Sequence, residues 1–167
     1  LTFDDCYQSI GLYAYPILKK YRFHAVAFVV TGWLNAQPKS FTPDHSVCMT
    51  QDELSEMTDV LEYANHSHSF HTRQDIKTSR MMTAQDQELI ADLRKCSEHP
   101  LISAKDVFAY PFGLYTKQNV NLLRESGYRL AFTCEQGQND STTDPLLLRR
   151  NLIPYMMDME TFRRVVG

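Results

Sequence analysis

Short apolar runs alternate with amphipathic stretches along nearly the whole chain, and this alternation restricts the fold more than any other feature. "LTFDD" (1–5) reads as a buried strand ending in carboxylates, "YPILKKYRF" (15–23) as a short helix with Pro16 in its first turn, and "AVAFVV" (25–30) as a strand. Thr50 and Glu53 form a capping-box pattern ahead of a helical stretch, "DELSEMTDVLEYA", with a short third strand around 62–66. Thr83 with Asp86 suggests a second box opening "QDQELIADLRKC", and "DVFAY" (106–110) reads as a strand broken by Pro111 and Gly113. "TKQNVNLLRESGY" is a helix with Thr116 as N-cap and Gly127 just past its end, followed by the strand "RLAFTC". A polar loop, "GQNDSTTDP", then leads to a last expected strand, "LLLRRNLI", and a terminal helix, "METFRRVV".

Strand, helix and strand in succession require crossover connections, so the pattern predicts an α/β fold with a parallel sheet. In such folds ligands bind at the carboxyl ends of the strands. The polar residues there are Asp4 and Asp5, the segment His66 to His71, the "PFG" turn, and Arg149 with Arg150.

With 167 residues, 43% of them hydrophobic, one domain spanning 1–167 is expected. A net charge of −3 with no basic stripe argues against nucleic acid as the main partner. The four cysteines are scattered without a CxxC pair, which disfavours a zinc ribbon. No window is apolar and long enough to span a bilayer. The chain starts at Leu1 without an initiator Met, so an excised fragment of a longer protein is expected, with any signal or anchor upstream.

His66, His68 and His71 fall within six positions of one another. Two imidazoles and one carboxylate with open positions make a catalytic rather than a structural metal arrangement. A second carboxylate nearby would serve as general base, which suits hydrolysis of an amide or ester. Consecutive aspartates at a strand end point to opposite sides, so Asp4 and Asp5 need not share a task. The plain alternatives are that "DD" only starts a turn and that the histidines are exposed loop residues. His24, His45 and His99 read as structural or surface residues.

Taken together, "LTFDD", "NHSHSFH" and "FAYPFG" resemble the first three motifs of the polysaccharide deacetylases of carbohydrate esterase family 4, the NodB-homology fold. "PILKKYRFHAVAFVVTGWL" and "LLRESGYRLAFT" extend the likeness over nearly the whole chain. The five-residue step from His66 to His71, and "AYPFG" where most members carry R-x-P-[FY]-G, are similar to the PgaB/IcaB-like poly-β-1,6-N-acetylglucosamine branch.

The resemblance implies a distorted (β/α) barrel and a site with one divalent ion, Zn²⁺ favoured and Co²⁺ or Ni²⁺ as alternatives. It assigns Asp4 as general base, Asp5, His66 and His71 as metal ligands, and the backbone N–H of Phe112 as oxyanion donor. Tyr110, Pro111 and Phe112 would wall the sugar, although the two aromatics could equally be core. His68 matches no family ligand. Three departures accompany the match. Cys6 replaces the glycine of the first motif and puts a thiol beside the site. Ala109 stands where many members have an arginine, a part that Arg150 would take, with Arg149 as second choice. No histidine follows His99, so the family's C-terminal general acid is missing from these 167 residues.

The expected activity is N-deacetylation of a polysaccharide by a monomeric, extracytoplasmic or cell-surface enzyme. Peptidoglycan, chitin oligosaccharide and acetyl-xylan are alternative substrates. A domain that keeps metal and glycan binding without turnover is the rival reading.

Overall fold

The computed structural model describes residues 1–43, 47–154 and 156–167. Five strands, β1 (Thr2–Asp4), β2 (Ala25–Val29), β3 (Leu61–Asn65), β4 (Ala104–Ala109) and β5 (Leu130–Phe132), form one sheet. All neighbours pair in parallel, and their order in space is their order in the chain. A doubly wound sheet reverses direction partway, whereas a singly wound one keeps stepping the same way and curls into a barrel wall. The result is a curled half-barrel of α/β type.

A π-helical turn (Ile10–Ala14) runs into α1 (Tyr15–Tyr21), where Pro16 occupies the first turn, in which a missing N–H costs nothing. The remaining helices are α2 (Gln51–Ser55), α3 (Arg80–Thr83), α4 (Asp86–Ser97), α5 (Lys117–Glu125) and α6 (Met159–Val166). Thr50 caps α2 as expected: its Oγ1 accepts from Glu53 N at 3.1 Å while Glu53 Oε2 accepts from Thr50 N at 2.7 Å. Thr116 and Asn119 make the same reciprocal pair at α5, and Gly127 follows with φ +88.

Three expectations are corrected. Thr83 does not cap α4: it ends α3, and the extended Ala84 and Gln85 separate the two helices. The helix from Gln51 stops at Ser55, because Leu61–Asn65 is taken by the sheet. "LLLRRNLI" is no strand, since a turn closed by Leu147 N to Asp144 O takes its first residues and, among the described residues, only Leu148 forms a bridge, to Phe132.

One buried cluster joins Ile10, Leu18, Leu54 and Tyr63, and another joins Leu89, Leu93, Phe108 and Leu123. Each fully buried leucine contributes about 2 kcal/mol through removal of its surface from water. A third, smaller cluster comprises Phe28, Ala64, Ala104 and Ala109.

Candidate active site

β1 carries Asp4 to the carboxyl edge of the sheet, in register with Phe28. Asp5 then adopts φ +69 and Cys6 φ +55, so the side-to-side alternation of the strand ends there. Both carboxylates consequently face one site instead of opposite sides. The left-handed conformation at Cys6 also explains why glycine suits that place in the family motif.

His66 follows β3, is 1% exposed, and hydrogen-bonds through Nδ1 to the Ala109 carbonyl at 2.7 Å. That bond leaves Nε2 free to act as a ligand. Ser67, at φ +73, turns the chain with its N–H on Asn65 Oδ1 at 2.7 Å, and the loop returns with His71, 7% exposed. The exposed-loop reading of these two histidines is therefore overturned. Asp5 Oδ1 lies 3.3 Å from His71 Nε2 and 3.7 Å from His66 Nε2. One ligand atom from each of the three residues falls within 4.8 Å of the others. Asp5 Oδ1 is buried without a hydrogen-bond partner among the described residues, an arrangement that costs free energy unless a cation compensates.

Burial, with Asp4 adding and His66 opposing, pushes the Asp5 carboxyl above its usual range. Burial and the neighbouring His66 hold the His71 imidazole down at about 4, so it is neutral and able to ligate at neutral pH. A carboxylate and two imidazoles in this arrangement fit a divalent ion such as zinc.

Arg150 holds Asp4 from the far side. Its Nη1 donates to Oδ1 at 2.8 Å and its Nη2 to Oδ2 at 2.9 Å, while Nε donates to Thr133 O at 2.9 Å. Burial works against ionisation of Asp4, but the Arg150 hydrogen bonds and the nearby His66 outweigh it and keep the carboxyl below its ordinary value. Arg149, the second choice, is exposed and lies against Gly137.

The third motif divides. Tyr110 is fully buried with its hydroxyl on Leu146 O at 3.0 Å, and Pro111 is buried as well. Neither can wall a sugar, because both are buried, and Tyr110 is tied to the segment after β5. Phe112 is half-buried, at φ +59, and its ring centroid lies 4.2 Å from that of His71. Cys6 is likewise a core residue, its thiol fully buried and pushed well up by that burial, so it is no reactive neighbour. His68 is engaged elsewhere, with Nδ1 2.9 Å from Thr31 Oγ1. His24 is exposed and His99 half-buried, whereas His45 lies outside the described residues.

Residues 1–131 match the family model for polysaccharide deacetylase. The chain belongs to the polysaccharide deacetylase family. It is 30% identical over 159 residues to a poly-beta-1,6-N-acetyl-D-glucosamine N-deacetylase of Staphylococcus aureus, covering 92% of this chain and 53% of the relative. The enzyme of the same name from Staphylococcus epidermidis is 26% identical over 160 residues, with the same coverage of both. The chain thus spans about half the length of these curated relatives. Among solved structures it resembles Streptococcus pyogenes deacetylase PplD in complex with acetate, with TM-score 0.81, 23% identity, and coverage of 100% of this chain and 69% of that one. IcaB from Ammonifex degensii superposes with TM-score 0.78 at 23% identity, over 92% and 66% of the two chains. These likenesses confirm the distorted barrel.

Two further residues, which the sequence did not single out, support the histidine segment. Asp92 on α4 accepts from His68 N at 2.7 Å, Ser69 N at 2.8 Å and Ser69 Oγ at 2.6 Å, and so pins the histidine loop. Its only signal was a carboxylate in the apolar half of a helix. Trp33 packs against His71, and nothing in "TGWL" announced it.

Proposed function

We propose that this domain removes acetyl groups from N-acetylglucosamine units of a β-linked exopolysaccharide, poly-β-1,6-N-acetylglucosamine being favoured. The observation that carries the reading is the two-pronged Arg150–Asp4 pair set beside Asp5, His66 and His71. It gives one ionised, oriented carboxylate free of ligand duty and a second that shares its site with two imidazoles. The names of the staphylococcal relatives support the choice of polymer.

Asp5, His66 and His71 would hold the ion, for which zinc is the choice over cobalt or nickel. When bound, such an ion supplies Lewis acidity to the acetyl carbonyl and lowers the pKa of water. Asp4 takes a proton from the attacking water as the O–C bond forms, and Arg150 keeps the carboxylate in one rotamer for that transfer. The Phe112 N–H donates to the developing oxyanion. Asp4 then returns its proton to the nitrogen as the C–N bond breaks, which releases the amine and acetic acid, the latter ionising to acetate. The polymeric substrate suits a cell-surface or extracytoplasmic setting, and among the described residues no helix is long and apolar enough to cross a membrane.

Acetate release measured on poly-β-1,6-N-acetylglucosamine, peptidoglycan, chitin oligosaccharide and acetyl-xylan, with metal content determined on the same sample, tests the proposal. Release from the first at the highest rate supports it. Absence of release from every substrate by zinc-loaded protein would leave the non-catalytic binding domain as the better reading.

A further inference from the structure

The two histidines are oriented by different means. His66 has its Nδ1 on the Ala109 carbonyl at 2.7 Å, the outer hydrogen bond that ordinarily fixes the ring of a ligating histidine. Nδ1 of His71 is buried and has no hydrogen-bond partner among the described residues. Rotation about χ2 of histidine is soft, so such a ring needs another restraint to keep Nε2 on line.

The surroundings of His71 are aromatic. The Trp33 ring meets it edge-on at 4.6 Å with an interplanar angle of 70°, and the Phe112 ring lies at 4.2 Å. The Arg73 guanidinium sits 4.8 Å from the Phe112 centroid and backs that ring. Trp33 is anchored by its own main chain. Its N–H donates to Val30 O at 2.9 Å, and the N–H of Gly32 donates to His68 O at 2.8 Å. A Cβ at position 32 would collide with that His68 oxygen, so the short turn Thr31–Trp33 and the histidine loop meet backbone to backbone.

We propose that Trp33 is the positioning residue of His71. Its indole, packed T-shaped on the imidazole, restrains the ring where the described residues supply no outer hydrogen bond, and so keeps Nε2 facing Asp5 Oδ1. The proposal rests on the reading of Asp5, His66 and His71 as metal ligands. Truncation of Trp33 removes one of the two aromatic rings packed on the imidazole and leaves Phe112, and the ion then has to order the imidazole itself.

Zinc affinity of the purified protein, freed of metal by chelator and titrated in competition with a chromophoric chelator, tests this. Trp33→Ala should weaken zinc binding about 10- to 100-fold, the scale of a lost outer-shell partner. Trp33→Phe, which keeps a flat ring edge, should stay within about threefold of the parent. The metal-free melting temperature and circular dichroism should stay close to the parent's in both, which separates positioning from general damage. If Trp33→Ala fails to fold, Trp33→Leu takes its place with the same expected weakening. Trp33 is the only tryptophan, so its emission should also respond to zinc in the parent and not in His71→Ala. Parental affinity in the Ala or Leu variant, with zinc lost in His71→Ala, would overturn the proposal and leave the ligands standing. Phe as weak as Ala would overturn the packing account. Parental affinity in His71→Ala would remove the ligand reading itself.

Discussion

Arg150 and Asp4 are 146 positions apart in the chain, yet the guanidinium takes both carboxylate oxygens, Nη1 on Oδ1 at 2.8 Å and Nη2 on Oδ2 at 2.9 Å. Ala109 offers only a methyl group, so orientation of the Asp4 carboxylate falls to a residue from the other end of the chain.

Arg150→Ala should lower kcat on the order of 10²-fold with metal content unchanged, because a disordered base loses most of its advantage. Arg150→Lys should recover little of it, since a lysine cannot make the two-pronged contact. The sign of the pH effect follows: Arg150 holds the Asp4 carboxyl low, so its removal moves the acidic limb of the rate profile to higher pH. A rate profile with its limb unmoved would show that Asp4 is not the titrating base.

Asp5→Asn, His66→Ala and His71→Ala should each lose bound metal, while Asp4→Asn keeps it and loses turnover by on the order of 10²-fold. Metal analysis after dialysis, set beside acetate release, decides the division. An Asp4→Asn protein without metal would exchange the two roles.

Asp92→Ala strands the N–H groups of His68 and Ser69 in a half-buried pocket. Loss of hydrogen bonds to a charged acceptor should destabilise the fold by about 2–4 kcal/mol, read from denaturant unfolding. Zinc affinity should fall with it, because the pinned loop carries both imidazoles.

Glycine replacements should separate strain from collision. Gly127 has φ +88 and open space around it, so Gly127→Ala should cost only the left-handed backbone penalty, about 1 kcal/mol. Gly113 has φ +69, and a Cβ there would come within 2.5 Å of Cys134 Cβ. Gly113→Ala should therefore cost at least about twice as much and also depress activity, because it shifts the turn that presents Phe112.

In the proposed reaction Asp4 returns its proton to the leaving amine, the role a histidine beyond Gly167 would otherwise take. Activity on acetate esters with good leaving groups should exceed activity on amides, which need their nitrogen protonated. Equal rates on matched ester and amide would rule out that dependence.

Much of the candidate site was legible in the chain itself. The strand-like "LTFDD" and "AVAFVV", the paired caps at Thr50 and Thr116, and the order of the three motifs required no tertiary information, because periodicity, capping and motif spacing are local properties. Arg150 was also readable as the substitute for the arginine missing at Ala109, though only the fold separated it from Arg149 by burying one against Asp4 and leaving the other in solvent. Other features were decided where the chain is not repetitive. Strand alternation would have sent Asp4 and Asp5 apart, but left-handed backbone at Asp5 and Cys6 brings both carboxylates to one site. Tyr110 and Phe112 are equivalent aromatics on paper; a left-handed Phe112 puts one ring beside His71 while the other packs beneath Leu146. Asp92 and Trp33 act through contacts 23 or more positions away in sequence, and residue type and spacing carry no record of which distant loop a side chain will meet.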